Sequence, residues 1–119
     1  MKVLFDHNLP KRFRDHLQGH DISTTREMGW ELLANGVLLQ SAAGATFEVF
    51  ISIDKKLEHE QSLETLPLPV VVLDAISNAL PAVVPFAPHV LNLLKNPLQR
   101  ILHVIERDGR VHFLTAPRP

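Results

Sequence analysis

The chain alternates between short apolar runs that end on a polar residue and longer stretches with apolar positions three or four apart. Lys2-Val3-Leu4-Phe5 is a run of the first kind, closed by Asp6, and reads as a short buried strand. In the next stretch Leu9, Phe13 and Leu17 recur every four residues, and Pro10 suits a first helical turn. The pattern predicts an amphipathic helix over residues 10–18, ended by Gly19. Asp21 to Thr25 reads as a weaker second strand. Leu32, Leu33, Val37, Leu38, Ala42 and Ala43 have roughly helical spacing across 31–43, with the main helix starting at Asn35-Gly36. Phe47 to Ile53 is a third strand, ending at Asp54. A short helix is expected at about residues 59–65. Val70-Val71-Val72-Leu73 is β-branched and does not alternate, the mark of a strand buried on both faces. An apolar helical region over 79–94 follows. Two last strands flank Asp108-Gly109, a hairpin turn signal.

Strands and helices thus alternate before a terminal hairpin, with no repeat or linker, so residues 1–119 form one domain. Alternation of this kind predicts an α/β fold of three layers: a mostly parallel sheet, helices on both faces, and a C-terminal hairpin adding an antiparallel edge.

Composition narrows the function. At 119 residues, 45% hydrophobic and 21% charged, the chain has the makeup of a soluble domain able to bury a core. Twelve Lys and Arg against 13 Asp and Glu give a net charge of −1, so a nucleic-acid site would have to be a local patch. The absence of cysteine excludes disulfides, thiolate zinc sites and cysteine nucleophiles, and fits a reducing compartment. Asp6 interrupts the apolar start, so no signal peptide is read there, and a cytoplasmic location is expected. Residues 75–94 contain no Asp, Glu, Lys or Arg, yet Pro81, Pro85 and Pro88, with Ser77, Asn78, His89 and Asn92, make a buried, interrupted helix the reading rather than a membrane span.

In a parallel α/β sheet, ligands bind beyond the carboxyl ends of the strands. Asp6 and Asp54 both close predicted strands, and the topology brings them to one rim. Crowded carboxylates need a proton or cation between them, and oxygen-only ligation favours Mg²⁺ or Mn²⁺. Lys11, Arg12, Arg14, Arg26, Lys55 and Lys56 follow the rim positions, which suits a phosphate-bearing substrate. His16 and His20 are four apart, but Gly19 lies between them and no third zinc ligand is evident. His7 sits beside Asp6, where it could touch substrate. The glycine-rich nucleotide loops and the Gly-x-Ser-x-Gly elbow are absent.

Met1-Lys2-Val3-Leu4-Phe5-Asp6-His7-Asn8-Leu9-Pro10 resembles the opening of the small stand-alone PIN-like proteins, a domain family of unknown function within the PIN nuclease superfamily. The likeness continues through Gly19-His20-Asp21, Arg26-Glu27-Met28-Gly29-Trp30 and Leu33-Ala34-Asn35-Gly36. It resumes at Ile53-Asp54, Lys56-Leu57, Gln61, Val70 to Leu73, Ser77-Asn78 and Gly109-Arg110-Val111. The resemblance implies a PIN-like fold and a metal-dependent ribonuclease, in many small members the toxin of a toxin–antitoxin pair. It implies Asp6 and Asp54 as catalytic and metal-site acids, Mg²⁺ or Mn²⁺ as cofactor, and RNA as substrate. Asn8 is the polar neighbour in the opening motif, and with Lys11, Arg12 and Lys55 is expected to contact substrate. An antitoxin protein or a second copy of the chain is the expected protein partner.

One position departs from the family pattern. Val37 stands where an acid commonly follows the Asn-Gly pair, and PIN nucleases use three or four acids. Glu27, Glu31 or Asp74 could substitute; otherwise the chain is a catalytically depleted binding or scaffold protein, with the apolar stretch near 80–94 as an interface. A receiver-like phosphoacceptor module is the other alternative. It matches in length, in Asp6 and Asp54 and in the echoes at Asp74 and Lys95-Asn96-Pro97. It lacks the second acid beside Asp6.

Overall fold

A computed structural model describes residues 1–60 and 63–118. The strands are β1 (Lys2–Phe5), β2 (Asp21–Thr24), β3 (Val49–Ser52), β4 (Val70–Leu73), β5 (Leu102–Ile105) and β6 (Val111–Leu114). The α-helices are α1 (Asn35–Gly44), α2 (Leu80–Val83) and α3 (Ala87–Leu93). The six strands form one sheet in the order β2-β1-β3-β4-β5-β6. Pairing is parallel from β2 to β5, and β6 is antiparallel to β5. The expected α/β fold with a mostly parallel sheet and a terminal hairpin is therefore present.

Period-two alternation divides the strand side chains between two faces. Val3, Phe5, Val49, Ile51, Val71 and Leu73 meet Phe13, Leu17, Val83, Phe86 and Val90 on one face. Leu4, Phe50, Val70, Val72, Leu102 and Val104 meet Leu38, Leu39, Leu57 and Leu63 on the other. The segment after β1 and the α2–α3 block therefore cover the first face. Helix α1 and the segment after β3 cover the second. The β3–β4 and β4–β5 crossovers step the same way along the sheet but pass over opposite faces. The β4–β5 crossover thus has the opposite hand to the other three, an uncommon arrangement in parallel sheets.

Several predicted helices take another form. Residues 11–16 make a 3₁₀ helix rather than an α-helix, although Leu9, Phe13 and Leu17 are buried as their spacing predicts. Pro10 is extended and cannot donate, and Gly19, at φ +90°, reverses the chain within one short span. The helix expected at 59–65 is replaced by 3₁₀ turns at Lys55–His59 and Leu63–Thr65; Gln61 lies outside the described residues. The 79–94 region is α2, a 3₁₀ turn at Val84–Phe86, and α3, broken where Pro85 and Pro88 withdraw backbone donors. Val83, Phe86, Ala87, Val90 and Leu94 are buried in the core, so the stretch proposed as an interface is largely occupied by the chain's own sheet. Among the described residues no helix is long and apolar enough to cross a membrane.

Candidate functional site

The chain leaves β1 for one face and β3 for the other, which makes the edge between their carboxyl ends a topological switch point. Such a switch point is where parallel α/β sheets place their ligands. The sheet register sets what stands there. Phe5 is opposite Ile51, so the next residues, Asp6 and Ser52, lie side by side and point to the same face. Ser52 donates from Oγ to Asp6 Oδ2 at 2.7 Å, and the backbone N–H of Asp54 donates to the same Ser52 Oγ at 3.0 Å. One buried hydroxyl thus joins the Asp6 carboxylate to the backbone N–H of Asp54. Asp6 is 5% exposed, and its other oxygen accepts from the His7 backbone N–H at 2.8 Å. The His7 ring Nδ1 lies 3.1 Å from that same oxygen. Burial and three polar contacts fix this carboxylate in place. Asp54 is half-buried and caps the 55–59 turn, its Oδ1 accepting from the Lys56 N–H at 2.9 Å.

Two further acids near the rim, Glu27 and Asp74, are paired with cations. Glu27 accepts from Arg14 through both carboxylate oxygens, from the Thr24 N–H at 2.9 Å, and pairs with Lys11 at 3.3 Å. The Thr24 N–H and the Arg14 guanidinium bring its pKa down to about 2. Asp74, directly after β4, pairs with Lys55 at 2.7 Å and Arg107 at 3.7 Å, and the Lys55 hydrogen bond lowers its pKa. Glu31 is half-buried in the loop before α1, and among the described residues its Oε2 has no hydrogen-bond partner. Neither Glu27 nor Asp74 is a free substitute for the acid missing at Val37, which is exposed in the first turn of α1. Asn8 Oδ1 is buried and has no hydrogen-bond partner among the described residues. Arg12 is exposed and, among the described residues, makes no ion pair. Lys11 and Lys55 are each held by an acid.

The oxygen groups that the fold brings together here are the Asp6 carboxylate and the Ser52 hydroxyl; Asp54 joins them through its backbone N–H, while its carboxylate accepts from the Lys56 N–H. Carboxylate and hydroxyl oxygens are hard ligands of the kind Mg²⁺ and Mn²⁺ take, and Mg²⁺ is commonly held by one or two carboxylates with water and phosphate oxygens completing the shell. A three- or four-acid centre does not form: among the described residues no three His, Cys, Asp or Glu side chains converge. Ser52 is the partner that sequence reading missed. A lone hydroxyl in Val-Phe-Ile-Ser was its signal, but its meaning depends on register. Lys95-Asn96-Pro97, the echo of a receiver, follows α3 and precedes β5, so it stands at the opposite end of the sheet from the rim. The residues that follow β5 onto the rim are Glu106 and Arg107.

No family model matches the chain, and no curated protein or solved structure matches it.

Proposed function

We propose that this protein is a PIN-like, metal-dependent ribonuclease whose site is the β1–β3 switch point. The supporting observation is the buried Asp6 carboxylate at the switch point of the sheet, tied through the Ser52 hydroxyl to the backbone of Asp54, the second strand-end acid. Asp6 is the essential carboxylate and Asp54 the second, and together they would hold Mg²⁺ or Mn²⁺. Bound there, the ion would lower the pKa of a water and offset phosphate charge. Ser52 and His7 hold the Asp6 carboxylate in one orientation, so no side-chain reorganisation is needed when substrate arrives. Arg12 faces solvent and steers the RNA backbone by salt-sensitive contacts. A toxin role with an antitoxin partner is the finer reading that the resemblance carries.

The test is cleavage of a structured RNA with Mg²⁺ or Mn²⁺. Asp6→Asn and Asp54→Asn should each abolish cleavage, while Arg110→Ala, on the terminal hairpin, should leave it unchanged. Undiminished cleavage in both aspartate variants removes the site.

A second reading is a catalytically depleted binding protein. It is favoured by the capping role of Asp54 and by the ion pairs that occupy Glu27 and Asp74. It calls for RNA binding without cleavage and no heat of Mg²⁺ or Mn²⁺ binding in calorimetry.

A further inference from the structure

The 3₁₀ segment after β1 and the turn after β2 enclose a second recess on the far side of the β1 end from Ser52. It has a volume of about 180 Å³ and is lined by His7, Leu9, Pro10, Lys11, Thr24 and Arg26. We propose that this recess is a phosphate subsite, with Arg26 and Lys11 as its charged donors and His7 as the wall it shares with Asp6. The proposal extends the nucleic-acid reading above, since the subsite would seat a backbone phosphate beside Asp6.

Three features carry it. Arg26 is exposed and, among the described residues, makes no ion pair, so its guanidinium fork is available to an oxyanion. The acid nearest these cations, Glu27, is already taken by Arg14 and by the Thr24 backbone N–H. Lys11 makes only a single contact to Glu27, at 3.3 Å, with its side chain 59% exposed; Glu27 keeps its other partners if Lys11 turns to a ligand. The other neighbouring acid, Asp6, directs its oxygens to Ser52 and His7. An anion entering the recess therefore meets two cations whose local acid is compensated. Leu9 and Pro10 supply the apolar part of the lining. The positions are fixed by the sheet, because Phe5 pairs with Thr24 and the ladder continues through the Thr25 N–H to Phe5 O bond at 2.9 Å.

The test is titration of the intact protein in EDTA with inorganic phosphate, a nucleoside 5′-monophosphate and a short RNA, followed by amide and side-chain NMR shifts. Working without metal separates this proposal from the nuclease reading, whose failure would leave phosphate binding in place. Wild type should bind phosphate with shifts centred on His7, Lys11 and Arg26. Arg26→Ala and Lys11→Ala should each weaken binding about tenfold, the worth of one charge-assisted hydrogen bond, and Arg26→Lys should restore part of it. Arg107→Ala, beside Asp74 at the β5 end of the rim, should change nothing. Tighter binding of the RNA than of free phosphate assigns the subsite to a nucleic-acid backbone; equal binding assigns it to the free anion. No saturable shift in wild type, or equal losses in Arg26→Ala and Arg107→Ala, overturns the subsite.

Discussion

The hydroxyl of Ser52 donates to the carboxylate of Asp6 at 2.7 Å, across a strand pair that is 46 residues apart in sequence. Both groups are buried, so the bond is made where water cannot replace it. Ser52→Ala would leave one Asp6 oxygen and the Asp54 N–H without their partner. The expected loss is about 1–3 kcal/mol in urea unfolding. A loss near zero would mean that Asp6 finds another donor and that the linkage is not structural.

Asp54 combines a cap with a proposed chemical role, and the two can be separated. Asparagine caps as well as aspartate does, whereas alanine does not. Asp54→Asn should unfold with wild-type stability yet lose RNA cleavage. Asp54→Ala should lose cleavage and about 1 kcal/mol of stability. Thermal melts alongside a cleavage assay distinguish them, and a stable, fully active Asp54→Asn protein would confine the residue to capping.

His103 is 2% exposed, sits edge-on to Phe113, and has Nδ1 3.2 Å from the Val70 carbonyl. Burial lowers its pKa below 6.5, so the unfolded chain takes up the proton first as pH falls. Stability should therefore decline as pH drops below about 6.5, down to the folded-state value. His103→Leu should show a shallower decline over that window in denaturant midpoints. Identical slopes would show that other histidines account for the effect.

Gly109 turns the β5–β6 hairpin at φ +91°, and a Cβ there would collide with the imidazole of His89 on α3. Gly109→Ala should cost about 1–2 kcal/mol from backbone strain alone, plus the clash. His89→Ala in the same chain should recover the clash and not the strain. Calorimetric melting of the two single variants and the double variant measures both parts, and no recovery would place His89 outside the effect.

Much of the fold could be read from the order of apolar runs. Val70 to Leu73 is β-branched and unbroken and is a strand at those bounds, and Asp108-Gly109 turns the hairpin. The rim positions of Asp6 and Asp54 followed from their places after apolar runs. The rest depended on contacts that no local pattern encodes. Whether 10–18 winds as an α or a 3₁₀ helix rests on how much chain Pro10 and Gly19 leave between β1 and β2. Glu27 and Asp74 looked like spare acids because their partners, Arg14 and Lys55, are defined only by the folded sheet. Ser52 gained its meaning only when β3 was set beside β1.

The odd hand of the β4–β5 crossover has a further consequence at the rim. Because the chain leaves β3 and β4 over opposite faces, the sheet has a second switch point at its carboxyl edge, one strand along from the first. The Lys55–Asp74 pair, at 2.7 Å, ties β4 to the segment after β3 there. The sheet therefore has two switch points of similar origin, one bolted by oppositely charged side chains and the other left to Asp6. Asp74 belongs to the bolt, and that is why the larger number of acids along this edge does not amount to a larger site.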